Sequence, residues 1–325
     1  MRSPPPRLHL ALMLALAACA SRAGPPAGAM LHRDHPLAGR TFDVRAARFA
    51  DLPALEAALR PADFVLLGET HDNPDHHLLQ ARLLGALVAA GRRPAVAFEM
   101  LDVQQQAAVD AALARAPHDP DALAEAVGWA KSGWPAFSLY RPVFEAALDA
   151  GLPIVAVSLT RKQAREVVSR GSEALTPAVR ALLEREGPLP EEVARKLRAE
   201  MAESHCNELP GAMLDPMVLM QRARDATMAT RLAEAARPAG VLVLGAGHAR
   251  VDHGVPAHLA LVAPGRRSIS VGFLEVDPAK RTPDAYAEEF GAGGLPFDYV
   301  VFTPAAARAD PCESLRKRPK PRVAG

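Results

Sequence analysis

Short apolar runs that alternate with longer helical patterns constrain the fold of this chain more than any other feature. Four near-continuous, β-prone runs suit strands that are buried on both faces, as in a parallel sheet. They are residues 63–67 (DFVLL), 94–98 (PAVAF), 153–157 (PIVAV) and 240–244 (GVLVL). Residues 268–276 and 299–303 are predicted as additional strands. Because strands and helices alternate, we predict an α/β fold with a mostly parallel central sheet flanked by helices.

The predicted helices lie between the apolar runs. They cover residues 74–90, 103–115, 119–128, 138–150, 160–170, 189–205 and 213–236. The stretch from 160 to 236 contains helical patterns alone, so we predict a helical insertion around residues 160–236 that packs beside the sheet. The balance of 49% hydrophobic and 23% charged residues is typical of a globular protein.

The N-terminal residues predict export and lipidation. Arg2 and Arg7 flank an apolar stretch of 11 residues, 8–18, which suits a secretory signal. It is too short to span a bilayer, which needs about 20 residues. The stretch ends in LAAC, which resembles the bacterial lipobox, so we predict a signal peptide over residues 1–18 and acyl chains on Cys19. Ala20 follows the cysteine in place of Asp, and this favours sorting to the outer membrane.

Composition sets the other predicted boundaries. Residues 19–38 are small and rich in Pro and Gly, which predicts a lipidated tether before a domain over residues 39–305. Residues 306–325 contain RKRPKPR and are predicted as a disordered basic tail. The net charge of +1 indicates no nucleic-acid partner. An oxidising compartment would permit a disulfide between Cys206 and Cys312, but their separation does not follow from the sequence, and the pairing stays open.

Polar side chains follow the apolar runs at the ends where parallel sheets bind ligands. The first run leads into Gly68-Glu69-Thr70-His71, in which Glu69 and His71 alternate and can face one cavity. Asn73 and Pro74 predict that a helix begins just after His71, and its N-terminus is expected to favour neutral imidazole there. The second run ends in Glu99, and the fourth leads into Gly245-Ala246-Gly247-His248. We therefore predict one polar site at this edge; the alternative is a hydrogen-bonded structural turn.

These motifs resemble a known family. Gly68-Glu69-Thr70-His71, with Asp72-Asn73 and His76-His77, is similar to the opening signature of the ChaN-like haem-binding lipoproteins, relatives of the Tiki, TraB and erythromycin esterase proteins. Residues 97–100 (AFEM), 222–229 (RARDATMA), 245–248 (GAGH) and 297–304 (FDYVVFTP) add to a resemblance that spans about residues 55–305.

The resemblance implies two different functions. ChaN-like proteins bind haem between two subunits and are associated with iron acquisition, which implies haem and a homodimer. The wider superfamily implies hydrolysis with a catalytic set of Glu69, His71, Glu99, Arg224 and His248. In the metal-dependent form, Glu69, His71 and His248 would hold a divalent cation such as Mn²⁺ or Zn²⁺, which activates water. In a metal-free form, His71 would act as the base.

A haem site needs apolar walls, an axial ligand and partners for the propionates. Trp129 and Trp134 predict an aromatic patch that either packs between helices or receives a flat ligand, with Trp134 as a haem contact. The candidate axial ligands are Tyr140, His76 and His77, together with His205, which is more typical of a helix end. Lys131 and Arg141 are candidates for the propionates or are solvated surface charges. The leading hypothesis is therefore an outer-membrane haem-binding lipoprotein, with a Tiki-type peptidase or esterase as the alternative.

Overall fold

The computed structural model describes residues 29–290, 293–310 and 312–313. The predicted signal peptide, Cys19 and the basic run of the tail lie outside the described residues. The strands are β1 (Met30–Leu31), β2 (Thr41–Asp43), β3 (Arg48–Ala50), β4 (Phe64–Glu69), β5 (Ala95–Asp102), β6 (Ile154–Ser158), β7 (Gly240–Gly245), β8 (Ser268–Glu275), β9 (Tyr299–Thr303) and β10 (Ala305–Ala306). The α-helices are α1 (Leu52–Leu59), α2 (Pro74–Ala89), α3 (Gln106–Arg115), α4 (Pro120–Ala126), α5 (Phe137–Asp149), α6 (Arg161–Arg170), α7 (Pro177–Glu186), α8 (Glu191–Ser204), α9 (Leu214–Ala235), α10 (Val255–Val262) and α11 (Pro283–Phe290).

Eight strands form one central sheet in the order β3-β2-β9-β8-β4-β7-β5-β6. The six strands from β9 to β6 are parallel, while β2 and β3 add an antiparallel edge. Every residue of β4 and β7 is buried, as continuous apolar runs in a parallel sheet require. The predicted α/β fold with a mostly parallel sheet is confirmed.

Two apolar layers cover the sheet. On one face, Leu83 of α2 and Phe144 of α5 pack against Phe98 and Val243. On the other, Met228 of α9 and Leu259 of α10 pack against Leu66 and Leu244. The alternation of side chains along each strand divides the core in this way, because successive residues point to opposite faces.

The segment between β6 and β7 contains helices α6 to α9 and short 3-10 turns, which confirms the predicted helical insertion. It has a small core of its own, which includes Val167, Leu182 and Ala226. The last of its helices, α9, also packs against the sheet. Among the described helices, none is both long and apolar enough to cross a membrane.

Both ends of the described chain are attached to the domain. Strand β1 pairs with β10, and Leu37 is 3% exposed, so residues 29–38 of the predicted tether pack on the domain. At the other end, Arg308 forms ion pairs with Asp72 and Glu275. Cys312 is disulfide-bonded to Cys206, which answers the question that the sequence left open.

Candidate functional site

Glu69 is the centre of a buried hydrogen-bond network at the end of β4. Its Oε1 accepts from the Tyr140 hydroxyl at 3.0 Å and from His71 Nδ1 at 2.9 Å. Its Oε2 accepts from Gln80 Nε2 at 2.5 Å and lies 3.2 Å from His77 Nδ1. Burial alone would raise the pKa of Glu69, but the bonds from His71 and His77 outweigh burial and lower it to about 2. Glu69 is therefore a carboxylate that fixes four surrounding side chains.

The close packing of this edge explains the glycine before Glu69. A Cβ at Gly68 would lie 2.7 Å from Ala249 Cβ and 3.0 Å from Ala246 Cα, both in the turn after β7. Glu69 pairs with Gly245 in the β4–β7 register. Gly68 therefore allows the two strand ends to approach, and this brings their polar residues to one place.

His71 lies between two carboxylates and against an aromatic ring. Its side chain is 34% exposed, and its ring meets Trp134 edge-on with 4.8 Å between centroids. Burial alone would lower the pKa of His71, but the Glu69 hydrogen bond and the charge of Glu99 raise it. The carboxylates thus act against the helix N-terminus, which the sequence predicted to favour neutral imidazole, and they act at closer range than the helix dipole.

A second network surrounds Glu99 on β5. Glu99 Oε1 accepts from Arg224 Nη2 at 2.5 Å, and its Oε2 accepts from the Gly245 N–H at 2.7 Å. His248 Nε2 lies 3.4 Å from Oε1 of the same carboxylate. Burial opposes ionisation, but His248 and Arg224 hold the pKa of Glu99 well below its usual range. The predicted partners Glu99, Arg224 and His248 thus meet in one cluster.

Asp225 completes this cluster from α9. It is 1% exposed, and its Oδ1 accepts from His248 Nδ1 at 2.5 Å. Burial alone would lower the pKa of His248, but Asp225 and Glu99 raise it to about 9. Since both ring nitrogens face carboxylate oxygens, His248 is an imidazolium. The predicted catalytic set did not include Asp225; its position beside Arg224 in a helix was the signal available in the sequence.

The three predicted axial haem ligands have internal partners. Tyr140 is fully buried, and burial together with the charge of Glu69 raises its pKa. His76 accepts from the Thr70 N–H through Nδ1 and contacts Thr303 Oγ1 through Nε2, and burial lowers its pKa to about 4. His77 faces acceptors on both sides, namely the side chains of Glu69 and Gln80 and the His71 carbonyl. In this arrangement the ring nitrogens of His76 and His77 are all engaged, and the Tyr140 hydroxyl is buried and donates to Glu69.

The proposed metal ligands do not converge. The two carboxylate oxygens of Glu69 accept hydrogen bonds from Tyr140 and Gln80. His248 instead contacts Asp225 and Glu99. Among residues 29–290, 293–310 and 312–313, no three His, Cys, Asp or Glu side chains are arranged to hold a metal ion. The predicted set of Glu69, His71 and His248 is therefore two hydrogen-bonded clusters rather than a metal centre.

Two clefts lie on either side of the loop that carries Trp134. The larger, of about 680 Å³, is bounded by the ends of β5 and β6, the start of α6 and α9, and Glu99 and Arg224 line it. The smaller, of about 630 Å³, is lined by Trp129, Trp134 and Phe137 among others. Trp129 is 4% exposed and packs in the core, whereas Trp134 is half-buried and borders both clefts. The predicted aromatic patch is thus a packed corner at Trp129 and an accessible wall at Trp134.

The other predicted contacts lie apart from these networks. Lys131 lines both clefts. Arg141 is engaged by Asp121 and Glu145. His205 ends α8, where its Nδ1 contacts the Met201 carbonyl at 2.8 Å. Of these three, Lys131 alone borders the candidate site.

Comparisons with known proteins agree with this architecture. The ChaN protein of Campylobacter jejuni, whose structure describes cofacial haem binding, is 23% identical, with 80% of this chain and 95% of that chain covered and a TM-score of 0.64. At this identity the likeness shows a shared fold. An erythromycin esterase mutant in its open conformation is 13% identical, with 84% of this chain and 99% of that chain covered and a TM-score of 0.44. Comparison with the curated proteins found no match.

The sequence also matches a family as a whole. The family is described as "Haem-binding uptake, Tiki superfamily, ChaN", and its sequence profile matches residues 55–259. The matched segment includes both networks, from Glu69 on β4 to His248 after β7, and it covers more than half of the 325 residues. The chain belongs to the ChaN family of the Tiki superfamily.

Proposed function

We propose that the protein binds haem in the larger cleft, with Trp134 as one wall. The observation that carries this proposal is His71, whose imidazole is 34% exposed and contacts Trp134, a wall of the cleft. Membership of a family described by haem-binding uptake supports the same function. The cleft volume of about 680 Å³ falls in the range of organic ligand sites, roughly 300–1,000 Å³.

His71 is the residue that would hold the haem iron, through its Nε2. Its Nδ1 donates to Glu69, and in proteins such a carboxylate orients a histidine and makes its other nitrogen a stronger ligand. No hydrogen bond to His71 Nε2 occurs among the described residues. Trp134 would contact the porphyrin face, and the apolar side chains of Val127 and Met220 would extend the wall.

Haem titration of the chain without its predicted signal peptide tests this function. We expect a saturable Soret band, and His71→Ala should shift the band and weaken binding. His118→Ala is the matched control, because His118 is exposed on the surface and lines neither cleft. Failure to saturate would refute haem binding, whereas an unchanged band in His71→Ala would refute His71 as the ligand.

Hydrolysis is the second candidate, and a specific arrangement favours it. The carboxylate of Glu99 lies between Arg224 and the His248 imidazolium, while Glu69 orients His71 nearby. Such pairs of titratable groups are typical of acid–base catalysis. If an ester or peptide is the substrate, His71 would take a proton from water, and Arg224 would stabilise the developing oxyanion.

Ester and peptide hydrolysis assays distinguish this candidate from haem binding. We expect His71→Ala to abolish turnover and Arg224→Gln to reduce it, with His118→Ala again as the control. Absence of turnover in the wild type across both substrate classes would refute the candidate. A haem band with no turnover would leave haem binding as the sole function.

The cellular role follows from the N-terminal sequence. We propose that acyl chains on Cys19 anchor the protein in the outer membrane, where it serves haem or iron acquisition, as a homodimer when haem is bound. The lipobox and Ala20 support the anchor and its sorting. Labelling with radioactive palmitate should mark the wild type but not Cys19→Ala, and the unlabelled variant should leave the membrane fraction. Sedimentation with and without haem tests the dimer.

A further inference from the structure

The larger cleft carries an unusual concentration of positive charge. Four of its lining side chains are cationic: Lys131, Arg161, Lys162 and Arg224. Two lining side chains are acidic, namely Glu99 at the floor and Asp102 at the end of β5. Arg224 and Glu99 form an ion pair at the floor of the cleft. The other three cations are exposed and lie at its rim. We call Lys131, Arg161 and Lys162 the cationic rim.

The charges at the floor are already matched within the protein. Glu99 is bonded by Arg224 and by the Gly245 N–H, and it also faces His248. The cationic rim has no comparable partners. The Lys131 side chain forms no ion pair or hydrogen bond among the described residues, and Lys162 reaches Glu166 at 3.9 Å with 81% of its side chain exposed.

Arg161 is held in place without being neutralised. Its guanidinium donates to the Ser132 carbonyl, a neutral group in the loop that carries Trp134. This bond holds the guanidinium against the residue that follows Lys131 in the chain, and both Arg161 and Lys131 line the cleft. Asp102 supplies one opposing charge at this cleft, and its Oδ1 accepts from the Gln104 N–H in the turn that follows β5. Three cations against this one carboxylate leave an excess of positive charge at the opening of a cleft whose walls include Trp134 and Met220.

We propose that the cationic rim is a carboxylate subsite, which selects organic ligands that combine an apolar body with a carboxylate at one end. The body would lie against Val127, Trp134 and Met220, and the carboxylate would contact the rim. An arginine and lysines at one opening favour anionic oxygens, and contacts of this kind are stronger than neutral hydrogen bonds. This inference rests on the proposed function only because both place their ligand in the same cleft.

Two sources would supply such a carboxylate: the propionates of haem, or a small carboxylic acid or ester that the floor of the cleft hydrolyses. A comparison of haem with its dimethyl ester tests the first source, since esterification removes the propionate charges and keeps the porphyrin ring. For the wild type we expect haem to bind at least about tenfold more tightly than the dimethyl ester, a difference of about 1.4 kcal/mol. The triple variant K131Q/R161Q/K162Q should remove this preference.

A matched control removes three cations elsewhere. Arg115, Arg165 and Arg170 are exposed on α3 and α6 and do not line the cleft, so R115Q/R165Q/R170Q changes the net charge equally. It should retain the preference for haem over its ester. Equal loss of preference in both triple variants, or none in either, would overturn the subsite. Normal haem binding without any preference would also overturn it, while leaving the proposed function intact.

Hexanoate, which has an apolar chain and one carboxylate, tests the second source without haem. In Trp129→Phe, Trp134 is the remaining tryptophan of the chain and reports on the cleft by fluorescence. We expect hexanoate to change this fluorescence saturably, with an effect that weakens at high salt and is lost in the rim variant. If the protein binds no haem but binds hexanoate through the rim, the subsite stands and the proposed function falls. If neither hexanoate binding nor the preference for haem over its ester depends on the rim, the subsite falls.

Discussion

Replacing Cys206 and Cys312 by serine should lower the free energy of unfolding by about 2–4 kcal/mol. The disulfide joins positions 106 residues apart. In the chain-entropy treatment, a closed loop of about 100 residues corresponds to about 4.7 kcal/mol. We expect a smaller loss, because an unfolded chain of this size keeps some compact structure and the reduced form is less extended than the treatment assumes.

The loss of this disulfide should also loosen the turn at the candidate site. Cys312 lies four residues after Arg308, whose guanidinium donates to both Asp72 carboxylate oxygens at 2.7 and 2.9 Å and also to Glu275. Asp72 directly follows His71, and Asn73 donates to the Pro304 carbonyl at 3.0 Å. The disulfide therefore fastens the segment that holds this turn. Without it, we expect faster amide exchange over residues 70–77.

Urea denaturation of a chain that starts at Ala20 measures the effect. The oxidised wild type, the reduced wild type and C206S/C312S should be compared, and the reduced protein should match the variant. The variant with and without reductant is the control, because it has no disulfide to lose. A loss below about 1 kcal/mol, or no change in exchange over residues 70–77, would refute the reasoning.

Three further predictions concern the buried site. Asp225→Asn should lower the pKa of His248 from about 9, measured by NMR titration, and destabilise the fold by about 3 kcal/mol. Because His248 has a raised pKa in the folded state, its contribution to stability is complete below about pH 6.5 and is lost as pH rises through 9. In urea titrations at several pH values, His248→Gln should therefore reduce the loss of stability between about pH 6.5 and 9. Gly68→Ala should cost about 1–3 kcal/mol, since its Cβ would lie 2.7 Å from Ala249 Cβ. Equal stability of Gly68→Ala and wild type in urea would contradict the close approach of the strand ends.

The sequence predicts the parallel part of the sheet well, for a physical reason. Strands β4 and β7 are buried on both faces, so they must be continuous apolar runs, and such runs are visible in the sequence. The antiparallel edge was not predicted. Strands β2 and β3 have three residues each and include exposed positions such as Arg48, so no apolar run marks them.

The same contrast holds for the site. Glu69, Glu99 and His248 were predicted together because parallel strands end at one edge of a sheet. Several of their hydrogen-bond partners were not predicted in that role. Tyr140 and Gln80 lie on helices, and Asp225 lies on a helix more than a hundred residues from Glu99. The prediction of neutral His71 used the local helix alone, an effect of about 0.3–1 kcal/mol, whereas a buried carboxylate in contact acts more strongly.

The stability of the fold does not account for the two polar networks. Buried ion pairs lose the hydration of both partners, and apolar residues of similar volume are often equally or more stabilising at such positions. Yet Glu69, Glu99 and Asp225 are each at most 3% exposed, on three different elements that converge beside one cleft. Such an arrangement holds charged side chains in a fixed, preorganised geometry, which ligand binding or proton transfer requires. This reasoning favours the proposal that the networks serve ligand binding or proton transfer at the cleft, which Glu99 and Arg224 line.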